Sequence, residues 1–101
     1  MEKKFELTDE TIVCDGHLLH RIKALKYFRN AKKGDLGGFI EKEDNLSQYD
    51  DCWVYDEAKV FDDAQVFDDA KVYDNAKVCG NARVYNNVEV SMNALVCDNS
   101  N

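Results

Sequence analysis

The sequence predicts an all-β chain whose second half winds into a parallel β-helix, and three features of one repeat predict it. From Cys52 onward the chain reads as eight consecutive six-residue units: CWVYDE, AKVFDD, AQVFDD, AKVYDN, AKVCGN, ARVYNN, VEVSMN and ALVCDN. Each unit carries Val in its third position, at 54, 60, 66, 72, 78, 84, 90 and 96. Two residues before each Val stands Cys52, Ala58, Ala64, Ala70, Ala76, Ala82, Val88 or Ala94. One variable residue follows the Val, and then a pair drawn almost wholly from Asp, Asn and Gly.

A fixed period of six points to a solenoid. It matches neither the 3.6 nor the 3.5 period of a helix. Within a unit, small-x-Val is a two-residue alternation, so both residues face one side of a short strand. The Asp/Asn pair then turns the chain, because these side chains bond to nearby backbone and tolerate left-handed dihedrals. Three strands and three corners close one triangular coil of eighteen residues, so the repeats make about three coils.

A chain of 101 residues is enough for one domain with a modest core. No apolar run approaches the ~20 residues of a membrane span and no signal peptide opens the chain, so a soluble, cytoplasmic protein is expected. The four cysteines (Cys14, Cys52, Cys79, Cys97) lack metal-site spacing. Cys79 and Cys97 lie eighteen apart and should stack on adjacent coils. Two free thiols in a reducing compartment are the expected state, with a disulfide as the alternative. The net charge of −7 is uneven: residues 1–47 carry nine acidic and nine basic side chains, residues 48–101 eleven and four. That balance disfavours direct contact with nucleic acid, which needs a basic footprint.

Ahead of the repeats, Asp15-Gly16 between apolar runs is a two-residue hairpin signal. The second run also has helical spacing (Leu18, Ile22, Leu25, Arg29), but the turn needs a strand to partner Thr11–Cys14, so strand is preferred. His17 and His20 then fall on opposite faces of that strand and are not expected to share a metal. Gly34, Gly37 and Gly38 mark tight turning, and GDLGGF lacks the Lys-Ser/Thr ending of a phosphate loop. Counting back in sixes from Cys52 reaches Leu46 and Ile40, so the solenoid register is expected to start near Ile40. Residues 1–36 would form a β-hairpin cap and residues 37–101 the solenoid, in one structural domain. A cap is needed because a solenoid end exposes strand edges.

Gly37–Glu57, reading GGFIEKEDNLSQYDDCWVYDE, resembles the YdcK-like hexapeptide-repeat proteins of bacteria and their phages. Gly37, Gly38, Phe39, Asn45, Leu46, Ser47, Gln48 and Trp53 match that family's pattern, and LHRIKALKYF in the N-terminal hairpin is similar too. The resemblance implies a left-handed β-helix with an N-terminal β cap. It implies little about activity: longer members carry the label acyltransferase by likeness to hexapeptide acyltransferases. This chain departs from that pattern in its few coils, its lack of His in the repeats, and Asp or Asn where Gly would turn the corners.

Two ladders of side chains are the candidate functional residues. The position after each Val should point outward, giving Tyr55–Tyr73–Ser91, Phe61–Cys79–Cys97 and Phe67–Tyr85. Tyr55, Phe61, Phe67, Tyr73 and Tyr85 are therefore expected at an interface, since aromatics are enriched at interface centres, and Leu95, the residue before Val96, is expected there with them. Ring stacking that stiffens a thin solenoid is the competing explanation, and one ladder is a candidate for burial under the cap. The corners give Asp56, Asp62, Asp63, Asp68, Asp69 and Asp74 as expected partner-binding residues. Turn chemistry accounts for Asp or Asn there, but Asn or Gly would turn equally well, so the excess of Asp suggests a binding edge. Calcium needs 6–8 converging oxygens, and corner carboxylates splay apart, so no metal and no cofactor is expected.

These features lead to a non-enzymatic, acidic interaction protein. A phage-type inhibitor of a host nucleic-acid-handling or defence protein, such as a CRISPR effector, is one reading. A structural or assembly module is the alternative, and a degenerate acyltransferase relative a third. The partner is expected to be basic or nucleic-acid-binding. The last unit has no polar capping element after it, so a homodimer is also expected.

Overall fold

Short strands and left-handed corners build the molecule as the six-residue pattern requires. The computed structural model describes residues 3–98, among which there is no α-helix. Three longer strands come first: β1 (Phe5–Cys14), β2 (His17–Ala24) and β3 (Leu36–Ile40). The repeats then supply β4 (Trp53–Val54), β5 (Lys59–Val60), β6 (Gln65–Val66) and β7 (Lys71–Val72). They continue as β8 (Lys77–Gly80), β9 (Arg83–Val84), β10 (Glu89–Val90) and β11 (Leu95–Asp98).

The repeat strands pair only in parallel, each with the strand one coil away. Lys59 and Val60 sit beside Lys77 and Val78, and Trp53 and Val54 beside Lys71 and Val72, a spacing of eighteen residues. The result is a parallel β-solenoid of about three turns. Its three faces are β4, β7 and β10; β6 and β9 with a bridge from Leu46; and β3, β5, β8 and β11. The interior is the small-x-Val set. Cys52, Ala58, Ala64, Ala70 and Ala76 are fully buried, as are Val54, Val60, Val72 and Val78. Small and branched residues alternate because three strands meet around a narrow axis, and close packing there leaves no room for a larger side chain.

β1 and β2 pair antiparallel around Asp15-Gly16, and β2 continues antiparallel onto β3, so residues 17–24 are strand. This places the N-terminal strands at one end of a six-stranded sheet. The chain between Ala24 and Leu36 holds Phe28, whose ring meets Trp53 edge-on at 5.3 Å, and Phe5 does the same at 6.3 Å. Trp53 points away from the solenoid axis, yet the N-terminal segments bury it completely.

The first coil departs from the expected register. Ile40 and Leu46 lie beside Val60 and Val66, twenty residues on, and not beside Ala58 and Ala64. The two extra residues fall between Leu46 and Asp50, and one of them, Gln48, holds β1. Gln48 Oε1 accepts the N–H groups of Lys4 (2.7 Å) and Phe5 (3.2 Å), and Gln48 Nε2 donates to Phe5 O. Asn45, buried at the preceding corner, accepts from the N–H groups of Glu41 and Lys42 and donates to the carbonyls of Asp62 and Ala64. At the seam a Cβ on Gly37 would lie 2.5 Å from Val54 O, and one on Gly38 2.6 Å from Ala58 O. The glycines are there for close backbone approach.

Cys79 and Cys97 are neighbours across β8 and β11 with Cα atoms 4.5 Å apart, and the structure joins them as a disulfide where free thiols were expected. In-register parallel pairing sets both sulfurs on one face at a spacing that suits a bridge. Cys14 and Cys52 are free and buried. Among the described residues no helix is long and apolar enough to cross a membrane. The expected lack of a polar cap beyond the last unit concerns residues 99–101, which lie outside the described residues.

Candidate functional site

The corner carboxylates are the first element of the site, and the backbone explains their residue type. Asp56, Asp62, Asp68 and Asp74 all adopt left-handed dihedrals, with φ of 56°, 61°, 59° and 60°. A left-handed corner turns its own N–H along the solenoid, out of reach of a strand carbonyl. The carboxylate one coil earlier accepts it instead. Asp62 Oδ2 takes Gly80 N–H at 3.0 Å, Asp68 Oδ2 takes Asn86 N–H at 3.0 Å, and Asp74 Oδ2 takes Met92 N–H at 3.0 Å. Asp50 and Asp56 do the same for Asp68 and Asp74. An ionised acceptor makes this a stronger bond than Asn would.

Four of the six expected partner-binding residues thus have one oxygen committed to the fold. Of the other two, Asp63 forms an exposed ion pair with Lys42 at 2.9 Å, and Asp69 is half-buried. The six are spread over three edges, so no edge gathers them. Asp98 would extend one ladder, but its side chain lies outside what is described.

The aromatic ladders divide. On the β4–β7–β10 face Tyr55 and Tyr73 meet edge-to-face at 6.3 Å, and Tyr73 Oη donates to Glu89 Oε1 at 3.0 Å. Burial, then the charges of Glu89 and Asp56, pushes the Tyr55 hydroxyl up to about 12. Tyr55, Asp56, Lys71, Tyr73 and Glu89 line a shallow recess there. On the β6–β9 face Phe67 and Tyr85 stack at 5.4 Å and 8°, and Tyr85 is 45% exposed. Leu95 is largely exposed. Phe61 is the exception among the expected interface residues. It is 3% exposed and packs with Cys14, Leu19, Phe39 and Cys79. Its ladder is the one that the β1–β2 pair covers, so Phe61 points off the solenoid but into a second small core.

Residues outside the repeats complete the electrostatics. Arg21 donates from Nε to Glu10 (2.9 Å), from Nη2 to Glu57 (3.0 Å) and from Nη1 to Gly37 O (2.6 Å), with its guanidinium 4.4 Å from the Phe39 ring. His17 lies between two carboxylates, Nδ1 3.0 Å from Glu41 and Nε2 2.8 Å from Asp62, while His20 turns away to Thr8 O. The bond to Glu41 is the main cause that holds the His17 pKa above its usual value, and the same bond lowers that of Glu41. His17, Glu41 and Arg21 had no signal in the repeat pattern. Their partners are up to 45 residues away in the chain, across the joint between the N-terminal strands and the first coil.

In comparisons with protein-family models and with curated proteins, no family model and no curated protein matches this chain.

Proposed function

We propose that the protein is a small, non-enzymatic, acidic interaction protein, of the kind with which a phage inhibits a host nucleic-acid-handling or defence protein such as a CRISPR effector. The observation that supports it most is the side-by-side placement of a corner carboxylate and an open aromatic ladder, Asp56 with Tyr55 and Tyr73 in one recess. Aromatic rings give contact area at low entropic cost, and the surrounding negative field selects a basic surface. The reading includes a cytoplasmic site of action, a YdcK-like origin and left-handed winding of the coils. The matches at Gly37, Gly38, Asn45, Leu46, Gln48 and Trp53 support that origin, because each has a specific task at the joint.

An assembly module is the second reading. The exposed apolar side chains Val88, Met92 and Leu95 on the last described coil favour it, since exposed apolar surface suits a second copy in a homodimer. Affinity capture from bacterial lysate at low and high salt separates the two. The inhibitor reading expects a basic, nucleic-acid-binding protein that is held at low salt, released at high salt, and inactive in nucleic-acid binding while held. Recovery of the protein's own copies alone would favour the assembly reading.

A further inference from the structure

The His17 ring sits between two carboxylates, with Nδ1 3.0 Å from Glu41 and Nε2 2.8 Å from Asp62, and that placement suggests what it does. A neutral imidazole has one N–H, so it can donate to Glu41 or to Asp62 but presents a lone pair to the other. An imidazolium donates to both. Neither carboxylate is free to swing aside. Glu41 Oε1 accepts Asp62 N–H at 2.8 Å, and Asp62 Oδ2 accepts Gly80 N–H at 3.0 Å. The two free oxygens are thereby aimed at opposite edges of one ring, an arrangement that fits a proton on each nitrogen. The same three groups offer ligand atoms within 4.8 Å of one another, near enough to share a cation, so zinc binding is the competing use of this cluster.

We propose that protonated His17 is a latch that locks the tip of the β1–β2 pair onto the first coil, over Phe61, and lets the tip loosen when the proton leaves. The ring stands at the start of β2, directly after the Asp15-Gly16 turn, and lies against Phe61 with ring centroids 5.1 Å apart. Beneath the tip is the small core of Cys14, Leu19, Phe39, Phe61 and Cys79. Loosening it uncovers Phe61, the one expected interface aromatic that the closed structure hides. The charged groups around the ring are Glu41 after β3, Asp62 after β5 and Asp15 in the turn, all of which favour the ion. The β8 corner contributes the Gly80 N–H and carries no charged side chain at Gly80 or Asn81, and nearby Lys42 is paired with Asp63. The folded pKa is raised, so the latch is complete below the free-histidine value of about 6.5 and is lost as pH rises through the folded value.

An NMR titration of the His17 ring protons, with residue-resolved hydrogen exchange corrected for the intrinsic pH effect, tests this. The expected midpoint lies above about 6.5, the value of free histidine. Protection of the Leu18–Arg21 amides should fall through that midpoint, while that of Lys77–Gly80 stays level. Asp62→Asn keeps an acceptor for Gly80 N–H, so the fold is retained and the His17 midpoint should move down. In His17→Gln the strand should lose protection and lose its pH dependence. A wild-type midpoint at or below that of free histidine would overturn the latch. So would an equal pH course of protection in wild type and His17→Gln, or stoichiometric displacement of the ring proton by zinc at neutral pH.

Discussion

At the scale of single residues, the corner aspartates carry two tasks that the sequence alone cannot separate. The repeat shows that an Asp-rich pair turns each corner, but the N–H that Asp68 accepts belongs to Asn86, one coil on. A six-residue window contains no sign of that bond. The structure therefore makes a graded prediction at one position. Asp68→Asn keeps a neutral, weaker acceptor and should cost the least, under about 1 kcal/mol. Asp68→Gly keeps the left-handed corner and loses the bond, at about 1 kcal/mol. Asp68→Ala loses both, adding about 1–2 kcal/mol for a Cβ at positive φ. Urea denaturation should rank the three in that order, and an Asp68→Ala no worse than Asp68→Gly would remove the dihedral half of the account. Lys4 is a further residue with no sequence signal. It is 1% exposed, and its Nζ donates to the carbonyls of Asp50 (2.6 Å) and Cys52 (2.8 Å). Lys4→Met fills the same space but leaves both acceptors without that donor, so a loss of about 1–3 kcal/mol in the same assay is expected.

At the scale of elements, the interior was readable because a strict small-x-Val alternation has one physical meaning in a strand. Ala70 is fully buried and Lys71 beside it half-buried, as the alternation requires. Ala70→Leu should overpack the coil by about 1–3 kcal/mol, and Lys71→Ala should change stability by less than about 0.5 kcal/mol. The reverse order would mean that the side chains at this strand face the other way. The joint was less readable. Counting in sixes ran past the two extra residues before Asp50, because Ile40 and Leu46 are apolar in either register. Only the pairing of Ile40 with Val60 decides between them. Gln48 is the residue that gives the longer coil its purpose. Gln48→Ala should release the start of β1, with faster hydrogen exchange at Lys4 and Phe5 and little change in the repeats. The cover over Phe61 was foreseeable for one of three ladders, but the choice of ladder depends on where the turn at Asp15-Gly16 lands, which no local pattern encodes.

At the scale of the whole molecule, the proposed function rests on a charge of −7 that is spread around three edges. A field of that kind speeds encounter with a basic partner and fades as salt rises. Self-association through Val88, Met92 and Leu95 is a separate expectation, and light scattering at micromolar concentration should give about twice 11.6 kDa; a monomer would exclude it. The central claim is tested most directly by replacing Asp56, Asp62, Asp63, Asp68, Asp69 and Asp74 together with Asn. Each Asn keeps a corner residue and an acceptor, so circular dichroism should be unchanged while the charge falls by six. The association rate with the basic protein recovered by affinity capture should then drop by about tenfold or more at low salt, and its salt dependence should flatten. An association rate equal to that of the wild type at every salt concentration would contradict the account.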